Sequence, residues 1–121
     1  MCVEESMIDK IDPVILAVSK FEECVSFYKD KMGLIETHRE APPDQFVSFN
    51  VGGSEFSLHG GYGGKRGGPI SVYFLTSDID EEIARLRRAG VKVTKPPERF
   101  SWGWLASVED PDGNEVGIYQ R

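Results

Sequence analysis

The same order of structural signals occurs twice along this chain of 121 residues. Three landmarks recur in both halves: a helix entry, a glycine that ends a helix, and a glycine in a tight turn. The pairs are Lys20 and Asp78, Gly33 and Gly90, and Gly53 and Gly113. Their offsets of 58, 57 and 60 residues are nearly constant, which indicates a duplicated structural unit. Because each half has too few strands to bury a sheet face alone, we expect the two halves to pack together.

The first half predicts one strand, one helix and then three strands. The apolar, β-branched run at residues 14–18 is typical of a buried strand. Ser19 and Glu22 have the spacing of a capping box, which predicts a helix start, and Gly33 is the expected helix stop. Further strands are predicted at residues 34–38, 45–51 and 54–59.

The second half repeats this order. Asp78 and Glu81 again have capping-box spacing, and Pro96-Pro97 predicts a turn. The polar sequence DPDGN at residues 110–114 lies between two apolar runs, which is a strong hairpin signal. Strands are predicted at residues 70–76, 91–94, 104–108 and 115–119.

The glycine-rich residues 60–69 are expected to link the two modules, at about residues 10–59 and 70–120, within one domain over residues 1–121. A phosphate-binding loop is the alternative for this stretch. It is disfavoured, because the stretch lacks the Lys-Ser/Thr pair and the following helix of a P-loop.

Charge and cysteine content limit the classes of partner that the protein can bind and indicate its compartment. A net charge of −6 and a pI near 4.9 disfavour nucleic acid and anionic membranes, and would suit a cationic ligand. Cys2 and Cys24 make neither a disulfide framework nor a metal spacing, and Cys24 is expected in the core. No secretory signal or membrane-spanning run is recognisable, so we predict a cytoplasmic protein.

Three motifs make the chain resemble the vicinal oxygen chelate superfamily. Residues 27–34, FYKDKMGL, are similar to the family's FYxxxLGL helix end, residues 110–114 match its DPDGN hairpin, and residues 78–80 resemble its DxD helix opening. The superfamily includes glyoxalase I, methylmalonyl-CoA epimerase, extradiol dioxygenases, and bleomycin- and fosfomycin-resistance proteins. The resemblance covers roughly residues 10–120. It implies an α+β fold in which two βαβββ modules pair into a curved, half-open mixed sheet around a cavity.

The resemblance also locates where metal-dependent members carry their ligands. The family's first-strand positions fall on Pro13 and Ser71, and its last-strand positions on Ser57 and Gly117. These side chains are unsuited to a divalent metal, so we predict no metal and no other cofactor. The alternative is a shifted site for Zn, Ni, Fe or Mn. Its ligands would be His59, Glu55 and Glu115.

Strand alternation predicts which side chains face the cavity. Trp102 and Trp104 belong to a segment, Phe100-Ser101-Trp102-Gly103-Trp104, that resembles an aromatic stretch of bleomycin- and mitomycin-resistance-like members. Trp102 suits a stacking wall or packing equally, whereas Trp104 suits packing better, although both are included in the candidate set. The candidate ligand-binding residues are Ser57, His59, Ser71, Tyr73, Trp102, Trp104, Gly117 and Tyr119.

The leading hypothesis is a metal-free, homodimeric protein of the bleomycin-resistance-like branch that binds a small molecule, either an antibiotic or another aromatic or cationic ligand. A metal-dependent lyase (lactoylglutathione lyase-like), isomerase or dioxygenase with a site around His59 is the first alternative. A ligand-responsive or scaffold protein without chemistry is the second. No catalytic residue is assigned, and acid–base chemistry by Glu55 or His59 stays open.

Overall fold

The structure is a computed structural model that describes residues 11–61 and 72–121. Helix α1 continues directly into a π-helical turn, and together they form the first helix, residues 21–31. The elements in chain order are β1 (Val14–Ala17), α1 (Phe21–Ser26), the π-helical turn (Phe27–Lys31), β2 (Ile35–Arg39), β3 (Phe46–Val51), β4 (Ser54–His59), β5 (Tyr73–Leu75), α2 (Ile79–Arg88), β6 (Lys92–Phe100), β7 (Gly103–Glu109) and β8 (Glu115–Gln120).

The described residues form two four-stranded sheets with equivalent strand orders, β1-β4-β3-β2 and β5-β8-β7-β6. The pairs β1–β4 and β5–β8 are parallel, and all the other neighbouring pairs are antiparallel. Both modules therefore have the order βαβββ, and the predicted α+β fold is confirmed.

One face of each sheet packs under the helices. Strand alternation predicts seven apolar residues on this face, and all of them belong to the core or pack against it. They are Val14, Leu16, Val18, Val72, Phe74, Val116 and Ile118. Cys24 is a buried free thiol, as expected. We call the opposite face of each sheet the distal face.

The predicted capping box at the start of the first helix is wrong. Lys20 is the N-cap residue and makes no side-chain cap. Instead, the carboxylate of Asp112 accepts hydrogen bonds from the backbone N–H groups of Ser19 (3.0 Å) and Lys20 (2.9 Å), and from the Ser19 hydroxyl. The cap thus comes from a residue 92 positions away, where local spacing gives no signal. At the second helix, Asp78 accepts from the N–H of Glu81 at 3.1 Å, so that predicted helix start is confirmed.

The predicted turn at Pro96-Pro97 is also wrong. Strand β6 runs through both prolines to Phe100. It is the edge strand of its sheet, and its register against β7 shifts between Lys95 and Glu98. Proline is tolerated at such a bulge on an edge strand, because no ladder hydrogen bond is needed from its nitrogen.

Two predictions fall outside the described residues. They are most of the 60–69 linker and the start of the 70–76 strand, including Ser71. Among the residues that are described, no helix combines the length and apolarity needed to cross a membrane.

Candidate ligand-binding site

Large apolar side chains are exposed on the distal faces of both sheets. Ile15 on β1 is 53% exposed, and on β5 Tyr73 is 58% and Leu75 is 62% exposed. Strand pairing also puts Ile35 on the first distal face and Phe100 on the second. Exposed apolar side chains that lie side by side, as Tyr73 and Leu75 do on β5, are typical of a surface that binds a ligand or a partner.

The ring of Tyr73 lies directly on Gly117. The two residues are register partners in the parallel pair β5–β8, so their side-chain positions share the distal face. A Cβ atom built on Gly117 would lie 2.2 Å from Tyr73 Cδ1 and 2.7 Å from Cε1. Glycine at 117 is therefore what allows the ring to lie this close to the sheet.

An aromatic cluster lies on the same distal face, on β6, on β8 and in the turn between β6 and β7. The Tyr119 and Trp102 ring centroids are 5.6 Å apart, and the Tyr119 hydroxyl donates to the Trp102 carbonyl at 3.3 Å. Trp102 is 52% exposed and stacks on Phe100, with centroids 5.0 Å apart and planes 2° from parallel. The Arg121 guanidinium carbon lies 5.6 Å from the Tyr119 ring centroid, within cation–π range. We call Tyr73, Phe100, Trp102 and Tyr119 the aromatic platform.

Trp104 is not part of this platform. Its neighbour Leu105 pairs with Tyr119 on the distal face, so alternation sends the Trp104 side chain to the other face. There it is partly buried and packs against the core. The sequence already favoured packing over ligand stacking for Trp104.

The distal face of the first sheet is polar. Ser57 is fully buried, its hydroxyl lies 2.9 Å from the Ser48 hydroxyl, and it donates to a Glu55 carboxylate oxygen at 3.2 Å. His59 lies at the other end of β4, is exposed, and contacts the edge of the Phe46 ring. Glu55 and His59 are thus separated along the strand by the serine pair.

The residues at the family's metal positions do not fit a divalent ion. Pro13 and Gly117 have no donor atom on a side chain, and the Ser57 hydroxyl is already hydrogen-bonded. At position 117, the Tyr73 ring also fills the space that a ligating carboxylate would need. Ser71 lies outside the described residues.

The alternative metal site does not assemble either. Within residues 11–61 and 72–121, no three His, Cys, Asp or Glu side chains lie together as a metal-binding group. Glu55, His59 and Glu115 therefore do not converge. Glu115 instead lies 3.6 Å from Lys95 across the second sheet.

The hairpin that carries β8 is anchored to the first helix. The Asp110 carboxylate is 3% exposed and accepts a 2.7 Å hydrogen bond from the Tyr28 hydroxyl. It also accepts from the N–H groups of Asp112 and Asn114 and from the Asn114 amide. Burial and the neighbouring Asp110 carboxylate raise the pKa of Tyr28 far above its usual range. This anchor fixes the strand that carries Gly117 and Tyr119.

Three residues of the second distal face were missed by sequence reasoning. Leu75 has the same strand parity as Tyr73, so alternation alone would have found it. Phe100 was hidden by the false turn at residues 96–97, which interrupted the parity of β6. Arg121 gives no local signal, because its position depends on the Tyr119 ring.

Fold and site together define an α+β protein of two βαβββ modules whose distal faces carry the candidate site. The sequence profile of the Glyoxalase/Bleomycin resistance protein/Dioxygenase superfamily matches residues 10–118. The chain belongs to this superfamily, and the resemblance seen in its motifs is confirmed.

Individual relatives agree with this assignment. A member of the same superfamily from Sphaerobacter thermophilus DSM 20745 is 30% identical, with a TM-score of 0.78 over 96% of this chain and 100% of that one. Protein YraH of Bacillus subtilis (strain 168) is 30% identical over 92% of this chain and 98% of its own length. The fosfomycin resistance protein FosX from Listeria monocytogenes is 17% identical, with a TM-score of 0.78 over 95% of both chains, and shares the fold.

Proposed function

We propose that this protein binds a small planar aromatic ligand on its aromatic platform, without the metal that other superfamily members use. The observation that carries the proposal is the Tyr73 ring lying on Gly117. This contact supports a stacking surface at the position where the family resemblance implies a metal ligand.

The exposure of the platform supports a role in binding. Tyr73 and Trp102 are each more than half exposed, although packing rings of this size in a core would be favourable. Offset or edge-on stacking of a ligand ring on such side chains is worth about 0.5–1.5 kcal/mol per pair beyond area burial. A platform of four rings thus offers useful affinity for a flat molecule.

We also propose that a second copy of the chain covers the remaining apolar surface, which makes the protein a homodimer. Ile15, Ile35 and Leu75 are more than half exposed on the distal faces and lie outside the platform. The unpaired thiol of Cys24 suits a reducing compartment, and we place the protein in the cytoplasm on that ground.

Ligand binding is tested with a panel of planar aromatic compounds, monitored by thermal shift and tryptophan fluorescence. We expect members of the panel to raise the melting temperature and to change the Trp102 emission. Tyr73→Ala should abolish the shift, whereas Trp104→Phe, on the opposite face, should preserve it. A panel without any shift, or a shift that survives Tyr73→Ala, would contradict the proposal.

Dimer formation is tested by sedimentation velocity. Ile35→Glu should convert the dimer to a monomer, and Arg87→Glu, a charge reversal on an exposed residue of α2, should leave it intact. A wild-type protein that stays monomeric at every concentration would refute the dimer.

A further inference from the structure

The charges around the aromatic platform distinguish between classes of aromatic ligand. This inference rests on the proposed function and deepens it. On the distal face of the second sheet, two lysines are already neutralised by carboxylates: Lys92 lies 3.1 Å from Glu109, and Lys95 lies 3.6 Å from Glu115. Each pair is therefore neutral as a whole.

Arg121 differs from these lysines. Among the residues that the structure describes, no Asp or Glu side chain forms an ion pair with its guanidinium, which instead lies over the Tyr119 ring. A guanidinium held over a ring keeps its N–H donors at the ring's edge, where they suit a planar, two-oxygen acceptor. The cation site that Tyr119 offers is therefore occupied by the protein's own arginine.

The acidic groups lie away from this end of the platform. Glu98 shares the distal face, but it is on β6, and strand β7 separates it from Tyr119 on β8 and from Arg121, which follows β8. A ligand whose ring packs against the exposed sides of Tyr119 and Trp102 would thus meet the Arg121 guanidinium at its Tyr119 end.

We infer that the ligand is a planar aromatic carboxylate, with its ring on the aromatic platform and its carboxylate on the Arg121 guanidinium. The overall charge of −6 suggests a cationic ligand, but it is a property of the whole surface. The charged group beside Tyr119, the Arg121 guanidinium, is positive. A ligand in contact with it feels this charge more strongly than the distant negative charges, because salt screens the distant ones.

The inference is tested by calorimetric titration with three probes that share one ring system: naphthalene-2-carboxylate, naphthalene-2-carboxamide and 2-naphthylmethylammonium. We expect the carboxylate to bind about tenfold more tightly than the amide, as a charge-assisted hydrogen bond allows, and the ammonium to bind most weakly. Arg121→Gln should lower the affinity for the carboxylate probe to that for the amide probe, and should leave the affinity for the amide probe unchanged. Arg99→Gln is the matched control, because Arg99 pairs with Trp104 on the other face.

The outcomes separate this inference from the function on which it rests. If the amide or the ammonium binds as tightly as the carboxylate, or if Arg121→Gln weakens all three probes equally, the inference is overturned and ring binding still stands. If none of the three probes binds the folded protein, both the inference and the proposed function are overturned.

Discussion

The Tyr28 hydroxyl donates a 2.7 Å hydrogen bond to the buried carboxylate of Asp110 and so joins the first helix to the last hairpin. The Tyr28 ring centroid also lies 6.4 Å from that of Phe74, a partly buried residue of the second module that packs against the core. One side chain therefore holds the two modules together by packing and by a buried polar contact.

Removing the Tyr28 hydroxyl should destabilise the protein. In Tyr28→Phe the Asp110 carboxylate stays buried but loses one donor, which costs about 1–3 kcal/mol. Urea unfolding measures this loss. Tyr119→Phe is the matched control, because its exposed 3.3 Å bond to the Trp102 carbonyl should contribute less than about 0.5 kcal/mol. Equal costs for the two variants would contradict the anchoring role of Tyr28.

Asp112 should stabilise the first helix although it lies in the other module. Asp112→Ala leaves the N–H groups of Ser19 and Lys20 without their acceptor, at a cost of about 1 kcal/mol, similar to that of Asp78→Ala at the second helix. Asp80→Ala, in the first turn of α2, is a control because Asp80 has no capping contact. If Asp112→Ala unfolds at the same urea concentration as the wild type, the inter-module cap is refuted.

Stability should fall steeply in alkali. Burial raises the pKa of the Cys24 thiol from 9.0 to about 12, and Tyr28 is shifted in the same direction. In the unfolded chain the Cys24 thiol loses its proton from about pH 9, whereas in the folded protein it keeps the proton up to about pH 12. The contribution of the protonated thiol to the free energy of unfolding is therefore complete below pH 9 and is lost as the pH rises to about 12.

The free energy of unfolding, measured by urea titration from pH 8 to 11, checks this slope. Cys24→Ala should lower stability at every pH because it creates a small cavity, but it should flatten the decline above pH 9. An unchanged slope in the variant would exclude Cys24 as the cause.

Tyr73 and Gly117 should be energetically coupled. Gly117→Ala puts a Cβ 2.2 Å from the Tyr73 ring, so the ring must leave the sheet, at a cost of about 1–3 kcal/mol. In a Tyr73→Ala background the same change should cost much less, because the clash is gone. Urea unfolding of the four proteins of this double-mutant cycle gives the coupling, and strictly additive costs would contradict the contact.

The sequence predicts what depends on local pattern and misses what depends on distant residues. Gly33 and Gly90 both adopt positive φ angles at the helix ends where they were expected, and alternation assigns the apolar residues of β1, β5 and β8 correctly. The Asp112 cap was missed because a plausible local cap, Ser19, was nearer in sequence.

In the candidate site, too, the sequence predicts what depends on local pattern and misses what depends on distant residues. Alternation placed Tyr73, Gly117 and Tyr119 on one face, but the close contact of Tyr73 with Gly117 depends on the exact register of two strands far apart in the chain. The stacking of Phe100 on Trp102 required β6 to continue through its prolines, which bulges in an edge strand permit and a local turn signal conceals.

We propose above that an aromatic surface takes the place of the family's metal site. Elemental analysis by inductively coupled plasma mass spectrometry, on protein purified without chelators, tests it most directly. We expect far less than one equivalent of any transition metal per chain, because Pro13 and Gly117 offer no side-chain donor and the Tyr73 ring covers Gly117. One equivalent of Zn, Ni, Fe or Mn that remains bound after dialysis would contradict it.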